Sequence, residues 1–119
     1  MPDHAPLFDD IDSMDPDRFA QHLADTVVMR FGNADPVHGR GTVRDAWAGF
    51  CEGVDGVHHD IVEKWETGSA TIVEAEVTYT RKDATTVTVP VVTIYRPSDR
   101  PIEDYRIFID LAPLFADAG

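Results

Sequence analysis

Carboxylates and imidazoles are the groups in this sequence best suited to moving a proton, and their spacing sorts them. Along the run Ile102 to Asp110, the period of two of a strand puts Asp104, Arg106, Phe108 and Asp110 on one face, with Tyr105, Ile107 and Ile109 on the other. The first face has the mix of charge and aromatic ring that a ligand site needs. The second is apolar enough to bury against a partner subunit or a helix. Asp110 then faces a ligand, caps the terminal segment, or pairs with Arg106 and becomes a poor acid. Asp35 precedes Pro36, a turn dipeptide in which the carboxylate bonds nearby backbone amides. His58 and His59 adjoin at the start of a strand and point to opposite faces, so the pair does not make a two-histidine metal site; His59 is left as a hydrogen-bonding group for a pocket. His22 and His38 are whole elements away. No P-loop, GxGxxG or GxSxG string occurs, and the expectation is chemistry with no metal and no organic cofactor. The lone Cys51 sits among Trp47, Phe50 and Val54, a setting for a packed thiol and not for a nucleophile. Trp47, Phe50 and Trp65 read as walls of a core or of a pocket.

The elements that must position these groups follow from patterning. Residues 1–14 are acidic, with two prolines before Asp12, and read as an arm or a short lead-in helix turn with no chemistry; residues 15–119 then form a single domain. Asp15-Pro16 signals a helix start, and Phe19, Leu23 and Val27 recur at helical spacing. Thr26 to Phe31 reads as a short strand ended by the turn residues Gly32 to Pro36. From Thr42, a plausible N-cap, Val43, Ala46, Trp47 and Phe50 predict a second helix ending by Gly53. Asp60–Trp65, Ala70–Arg81, Val87–Arg96 and Ile102–Asp110 are β-rich runs separated by turn signals. The apolar ending Leu111 to Phe115 is expected to fold back over the sheet. Helices followed by an antiparallel meander define an α+β domain.

Composition narrows the partners. A chain of 119 residues with 43% apolar content suits one core, and in so small a domain roughly a third of the unfolded surface stays exposed, so a homodimer is expected. A formal charge of −12 repels phosphate backbones and anionic lipid, which argues against nucleic acid and membrane surfaces as partners. With no signal-like or membrane-spanning stretch, the expected location is cytoplasmic.

Three segments carry a family resemblance: Arg30-Phe31-Gly32-Asn33-Ala34-Asp35-Pro36-Val37-His38-Gly39-Arg40, Glu76-Val77-Thr78-Tyr79-Thr80-Arg81, and Asp104-Tyr105-Arg106-Ile107-Phe108-Ile109-Asp110-Leu111. In order and spacing they resemble the SnoaL-like branch of the nuclear transport factor 2-like superfamily, which includes ketosteroid isomerases, limonene-epoxide hydrolases and polyketide cyclases. The resemblance implies a cone-shaped, cystatin-like fold with N-terminal helices packed in a curved antiparallel sheet around a deep apolar pocket. It also implies roles. Asp110 resembles the aspartate that ends the last strand in the epoxide hydrolases, and Asp35, before Pro36-Val37, resembles the general base of ketosteroid isomerase; a carboxyl in an apolar pocket is poorly solvated, which raises its pKa toward neutrality and suits it to proton transfer. Ketosteroid isomerase is a worked instance of that tuning. Phe31 and Asn33 correspond to a Tyr and an Asn that hold water in the epoxide hydrolases, so the Asn is kept and the Tyr hydroxyl is lost. Glu76 and Thr78 fall where that pattern has an Arg and an Asp, which disfavours epoxide hydrolysis. The first helix has no tyrosine for an oxyanion hole, which disfavours 3-oxosteroid isomerisation.

Two function classes remain. One is a cofactor-independent proton-transfer enzyme, an isomerase or a polyketide-cyclase type, acting on a small hydrophobic or aromatic molecule. Its acid/base residues are Asp110 and Asp35, and Phe31, Asn33, Trp47, His59, Thr78, Arg106 and Phe108 contact the ligand. The other is a non-catalytic ligand-binding or interaction module of the same fold. Tyr79 is assigned to neither sheet face.

Overall fold

The computed structural model describes residues 5–97 and 99–115. The elements are α1 (Ala5–Asp12), α2 (Pro16–Ala20), β1 (Leu23–Phe31), β2 (Val37–His38), α3 (Arg40–Cys51), β3 (Gly56–Glu66), β4 (Thr71–Thr80), β5 (Thr86–Arg96), β6 (Ile102–Ile109) and α4 (Ala112–Phe115). The strands form one curved, open sheet in the order β2-β1-β6-β5-β4-β3. All neighbours are antiparallel except β1 and β6. The chain is therefore an α+β protein with its helices gathered on the inner face of the sheet.

Local chemistry explains where the helices begin and end. Asp15 caps α2 by accepting from the backbone N–H groups of Asp17 and Arg18, with Pro16 at the first helical position. The helix stops at Ala20, earlier than the Phe19–Leu23–Val27 spacing predicts. Leu23 and Val27 are buried at 1% and 0% exposure, but within β1. A separation of four residues returns to the same face in a strand as well as in a helix, and the β-branched run Thr26-Val27-Val28 favours the strand.

The segment expected as an arm or a short lead-in helix turn is, over its described part, a helix of 8 residues that belongs to the core. Leu7, Phe8 and Ile11 of α1 are buried with Phe19, Val43, Trp47 and the inner side chains of the sheet. Burying side chains of this kind is worth roughly 1.5–3 kcal/mol each. Asp10, beside them, accepts from Arg18 Nε (3.0 Å) and Gln21 Nε2 (3.1 Å) and meets His22 Nε2 at 2.7 Å, tying α1 to α2. The His22 bond, with help from Arg18 and Gln21, outweighs desolvation and lowers the Asp10 carboxyl below its ordinary value.

In β4, Thr71, Val73, Ala75, Val77 and Tyr79 alternate as buried residues, which puts Tyr79 on the inner face. In β5, Val89, Val91, Thr93 and Tyr95 do the same. Strand β3 carries a bulge between Ile61 and Glu63, so its face assignment changes along its length. Before the bulge, Val57 pairs with Tyr79 and His59 with Val77, facing inward; after it, Trp65 pairs with Ile72 and faces out. At the far end, α4 turns back beneath Arg81, whose guanidinium donates to the carbonyls of Pro113 (2.8 Å) and Leu114 (3.2 Å).

Candidate functional site

Strand β6 alternates as its sequence predicts, but with the faces exchanged. Tyr105 pairs with Tyr95, Ile107 with Thr93 and Ile109 with Val91, all inner-face positions of β5. Asp104, Arg106 and Phe108 therefore lie on the outer surface. The helices present Ile11, Phe19 and Trp47, and an apolar counterface is what buries best against them. Phe108 is 53% exposed, and Arg106 donates its Nε to Asp104 at 3.3 Å. Thr78 is on that same outer side, where its hydroxyl bonds Thr88 at 2.8 Å. Glu76 is exposed there too, and the inner positions of β4 at this level are Ala75, Val77 and Tyr79. No carboxylate or guanidinium from β4 reaches the inside of the sheet.

Inside lies a cavity walled by Ile11 of α1, Phe19 of α2, Trp47 of α3, Met29 and Phe31 of β1, His59, Tyr79, Val91 and Thr93 from the meander, and Tyr105, Ile107 and Ile109 of β6. Its volume is about 30 Å³, room for two or three waters at roughly 10–15 Å³ each. Aromatic rings fill much of what a wider pocket would offer. Trp47 stacks on Phe50 with ring centroids 5.4 Å apart, Phe19 meets Trp47 edge-on at 6.0 Å, and Phe31 leans on Phe50 at 5.7 Å.

One wall is polar. His59 Nδ1 lies 2.6 Å from Asp12 Oδ1, and the His59 backbone N–H donates to Asp12 Oδ2 at 2.8 Å. An ionised carboxylate only accepts, so in the neutral ring Nδ1 carries the proton and Nε2 keeps its lone pair. Phe8 packs on the imidazole at 5.1 Å and holds its plane. His58, on the other face, is within 3.1 Å of Asp60. Burial raises the phenols of Tyr79 and Tyr105 well above their ordinary range, so both stay protonated and can donate. The indole Nε1 of Trp47 is a buried donor with no hydrogen-bond partner among the described residues.

The residues singled out in the sequence thus separate into three groups. Phe31, Trp47 and His59 line the cavity. Phe31, Asn33 and Asp110 meet around an open groove of about 440 Å³ at the ends of β1 and β6, with Gly32, Ala34, Ile109, Leu111, Ala112 and Phe115. Thr78, Arg106 and Phe108 face outward. Asp110 accepts from the Ala112 backbone N–H at 2.9 Å, the capping role, and is not paired with Arg106. Asp35 is exposed in the connection between β1 and β2 and lines neither space. The Asp12 partner of His59 was not legible, because 47 residues separate the two and the residues around Asp12 lack periodicity. The signal available was an acid at the end of a short apolar stretch, Leu7-Phe8 with Ile11.

A curved mixed sheet closed over helices, with an apolar interior and one polar wall, defines the class of small pocket-bearing α+β domains. Residues 6–105 match the profile of the SnoaL-like domain, and the chain belongs to that family. Solved structures agree on the fold. A hypothetical protein of ketosteroid isomerase-like fold from Catenulispora acidiphila DSM 44928, in complex with trimethylamine, superposes with a TM-score of 0.83 at 17% identity over 91% of this chain and 85% of its own. A candidate SnoaL-like polyketide cyclase from Jannaschia sp. CCS1 gives 0.80 at 20% identity, over 92% and 84%. An LEH-like epoxide hydrolase from M. tuberculosis gives 0.77 at 17%, over 93% and 82%. No curated protein matches the sequence. Among the described residues, no helix is long and apolar enough to cross a membrane.

Proposed function

We propose that this chain binds a small, flat, mostly apolar molecule in the cavity and moves a proton on it, with His59 as the base and Asp12 holding its tautomer. The observation that carries this reading is His59 in the wall of a mostly apolar cavity, with Asp12 bonded to its Nδ1. A base oriented by a third group, beside neutral phenols that can donate to an oxygen gaining charge, suits proton abstraction next to a carbonyl. That is the chemistry of isomerisation or of an aldol-type ring closure, and it needs no metal or organic cofactor. The bound trimethylamine of the Catenulispora protein supports a small-molecule ligand. In this reading His59 takes the place that the sequence assigns to Asp110 and Asp35. We further infer a cytoplasmic homodimer.

The lack of any carboxylate among the residues lining the cavity favours a second reading, in which the same molecule is held without chemistry. Deuterium exchange separates the two: aryl ketones incubated with the protein in D2O are followed by NMR for exchange at the carbon next to the carbonyl. Exchange above background that is lost in His59→Gln and weakened in Asp12→Asn is the expected result. Binding with no exchange leaves the ligand-holding module, and exchange untouched by His59→Gln sinks the assignment of the base.

A further inference from the structure

Two side chains, Phe31 and Ile109, belong to both spaces at once. They line the inner cavity and also the more open groove beyond it. We infer that the groove is the outer half of one ligand site, that Phe31 and Ile109 form the gate through which a ligand reaches His59, and that Asp110 selects ligands with a cationic or hydrogen-bond-donating end. This rests on the cavity being the ligand site.

Burial points to the gate. Ile11, Phe19, Met29, Trp47, Tyr79, Val91, Thr93 and Tyr105 are the tightly packed walls of the cavity, at 7% exposure or less. Phe31, Ile107 and Ile109 are only half-buried; His59 is the other lining residue of intermediate burial, and its ring and backbone N–H are both held by Asp12. A ligand that enters between well-packed walls must break the core, whereas one that displaces half-buried side chains at a strand end need not. The backbone already has a tight joint here: Gly32 donates its N–H to Ile107 at 2.8 Å and has φ +58°, and a Cβ there would stand 3.4 Å from the Ile109 carbonyl. With both strand ends pinned in this way, rotation of the Phe31 and Ile109 side chains is the cheapest way to join the two spaces.

Volume and charge say what passes. The cavity alone, about 30 Å³, is far below the roughly 300–1,000 Å³ that ligand sites span. Joined to the groove of about 440 Å³, it falls within that range. Asp110 is the single charged residue among those lining the groove, and the rings of Phe31 and Phe115 stand beside it, Phe115 at 71% exposure. A carboxylate among aromatic faces attracts a cation by charge and by the ring quadrupole, and repels an anion. The ligand class is an elongated molecule with an apolar ring toward His59 and an amine or other donor at its outer end.

Trp47 provides the test. In a Trp65→Phe background it is the sole tryptophan, because the chain has 2. Its fluorescence is quenched with three probes: N-methylpyridinium (flat, cationic), nicotinamide (flat, neutral) and iodide (anionic). Expected results are a several-fold rise in quenching by all three in Phe31→Ala, a fall in Ile109→Phe, and no change in Ile11→Ala, which widens the cavity away from the groove. Cation preference should drop in Asp110→Asn, which keeps the cap, and persist in the remote Asp99→Asn. Should Phe31→Ala misfold by circular dichroism, Phe31→Leu and Ile109→Ala carry the same expectation. Quenching that follows Ile11→Ala instead places the route beneath α1 and overturns the gate while leaving the cavity reading intact. A Trp47 that no probe reaches in any variant removes both.

Discussion

At Asp12 one carboxylate fixes both a side chain and a strand, since it binds the imidazole and the backbone N–H of the same His59. Removing it frees the ring to turn and leaves a strand N–H without its partner, so Asp12→Ala should impair both binding and stability, the latter by about 1–3 kcal/mol. Cys51 shows the opposite case, a reactive group made inert by its surroundings. Desolvation pushes its thiol up to about 11, and only the thiolate is nucleophilic. Iodoacetamide should therefore alkylate it at pH 8 much more slowly than in the urea-unfolded chain, with the rate in the folded protein climbing only as pH approaches 11. Equal rates folded and unfolded would show an open thiol. The packed thiol was legible because its neighbours along the chain are also its neighbours in space. The face of Asp110 was not, since alternation tells which residues share a side and not which side meets the helices.

At the scale of elements, β4, β5 and β6 were readable to within a residue of their ends from β-branched runs and turn residues, whereas β3 begins at Gly56, before the expected Asp60. The N-terminal third was harder. Leu7, Phe8 and Ile11 are too few to display a period, and the bond that docks α1 depends on Asp10 meeting side chains 8 to 12 residues further on. The Asp10 tie has a pH signature. Its carboxyl is lowered from 3.8, so the native state holds its proton more weakly than the unfolded chain, and the stabilisation is present above that value and lost as pH falls through the lower folded one. Melting temperature against pH should drop below about pH 4, and Asp10→Asn should both lower the plateau near pH 7 and flatten that acid limb. An unchanged acid limb would assign the drop to other carboxylates.

For the molecule as a whole, the outer face of the sheet has a layout suited to a second copy. Val92 and Phe108 pair across β5 and β6, Ile72 with Trp65 and Ile94 on the strands beside them, an apolar centre. Arg30 lies opposite Arg106 at one side and Glu63 opposite Glu74 at the other. Like charges directly across a ladder destabilise an isolated sheet. A two-fold axis through the centre brings the arginine pair of one copy toward the glutamate pair of the other. Light scattering should accordingly find a dimer whose dissociation is favoured by salt, and Phe108→Glu should give a folded monomer. A parent chain that stays monomeric at high concentration would leave this face without a partner.

The bulge in β3 has a consequence of another kind. β3 is the long edge of the sheet, 11 residues of backbone with hydrogen-bonding groups on its free side, the kind of edge on which chains stack into fibrils. The kink between Ile61 and Glu63 breaks that template in its middle, and Asp60, Glu63, Lys64 and Glu66 surround the exposed Ile61, Val62 and Trp65 with charge. The same irregularity that turns His59 inward and Trp65 outward thus guards a protein with an exposed apolar edge against self-templated aggregation.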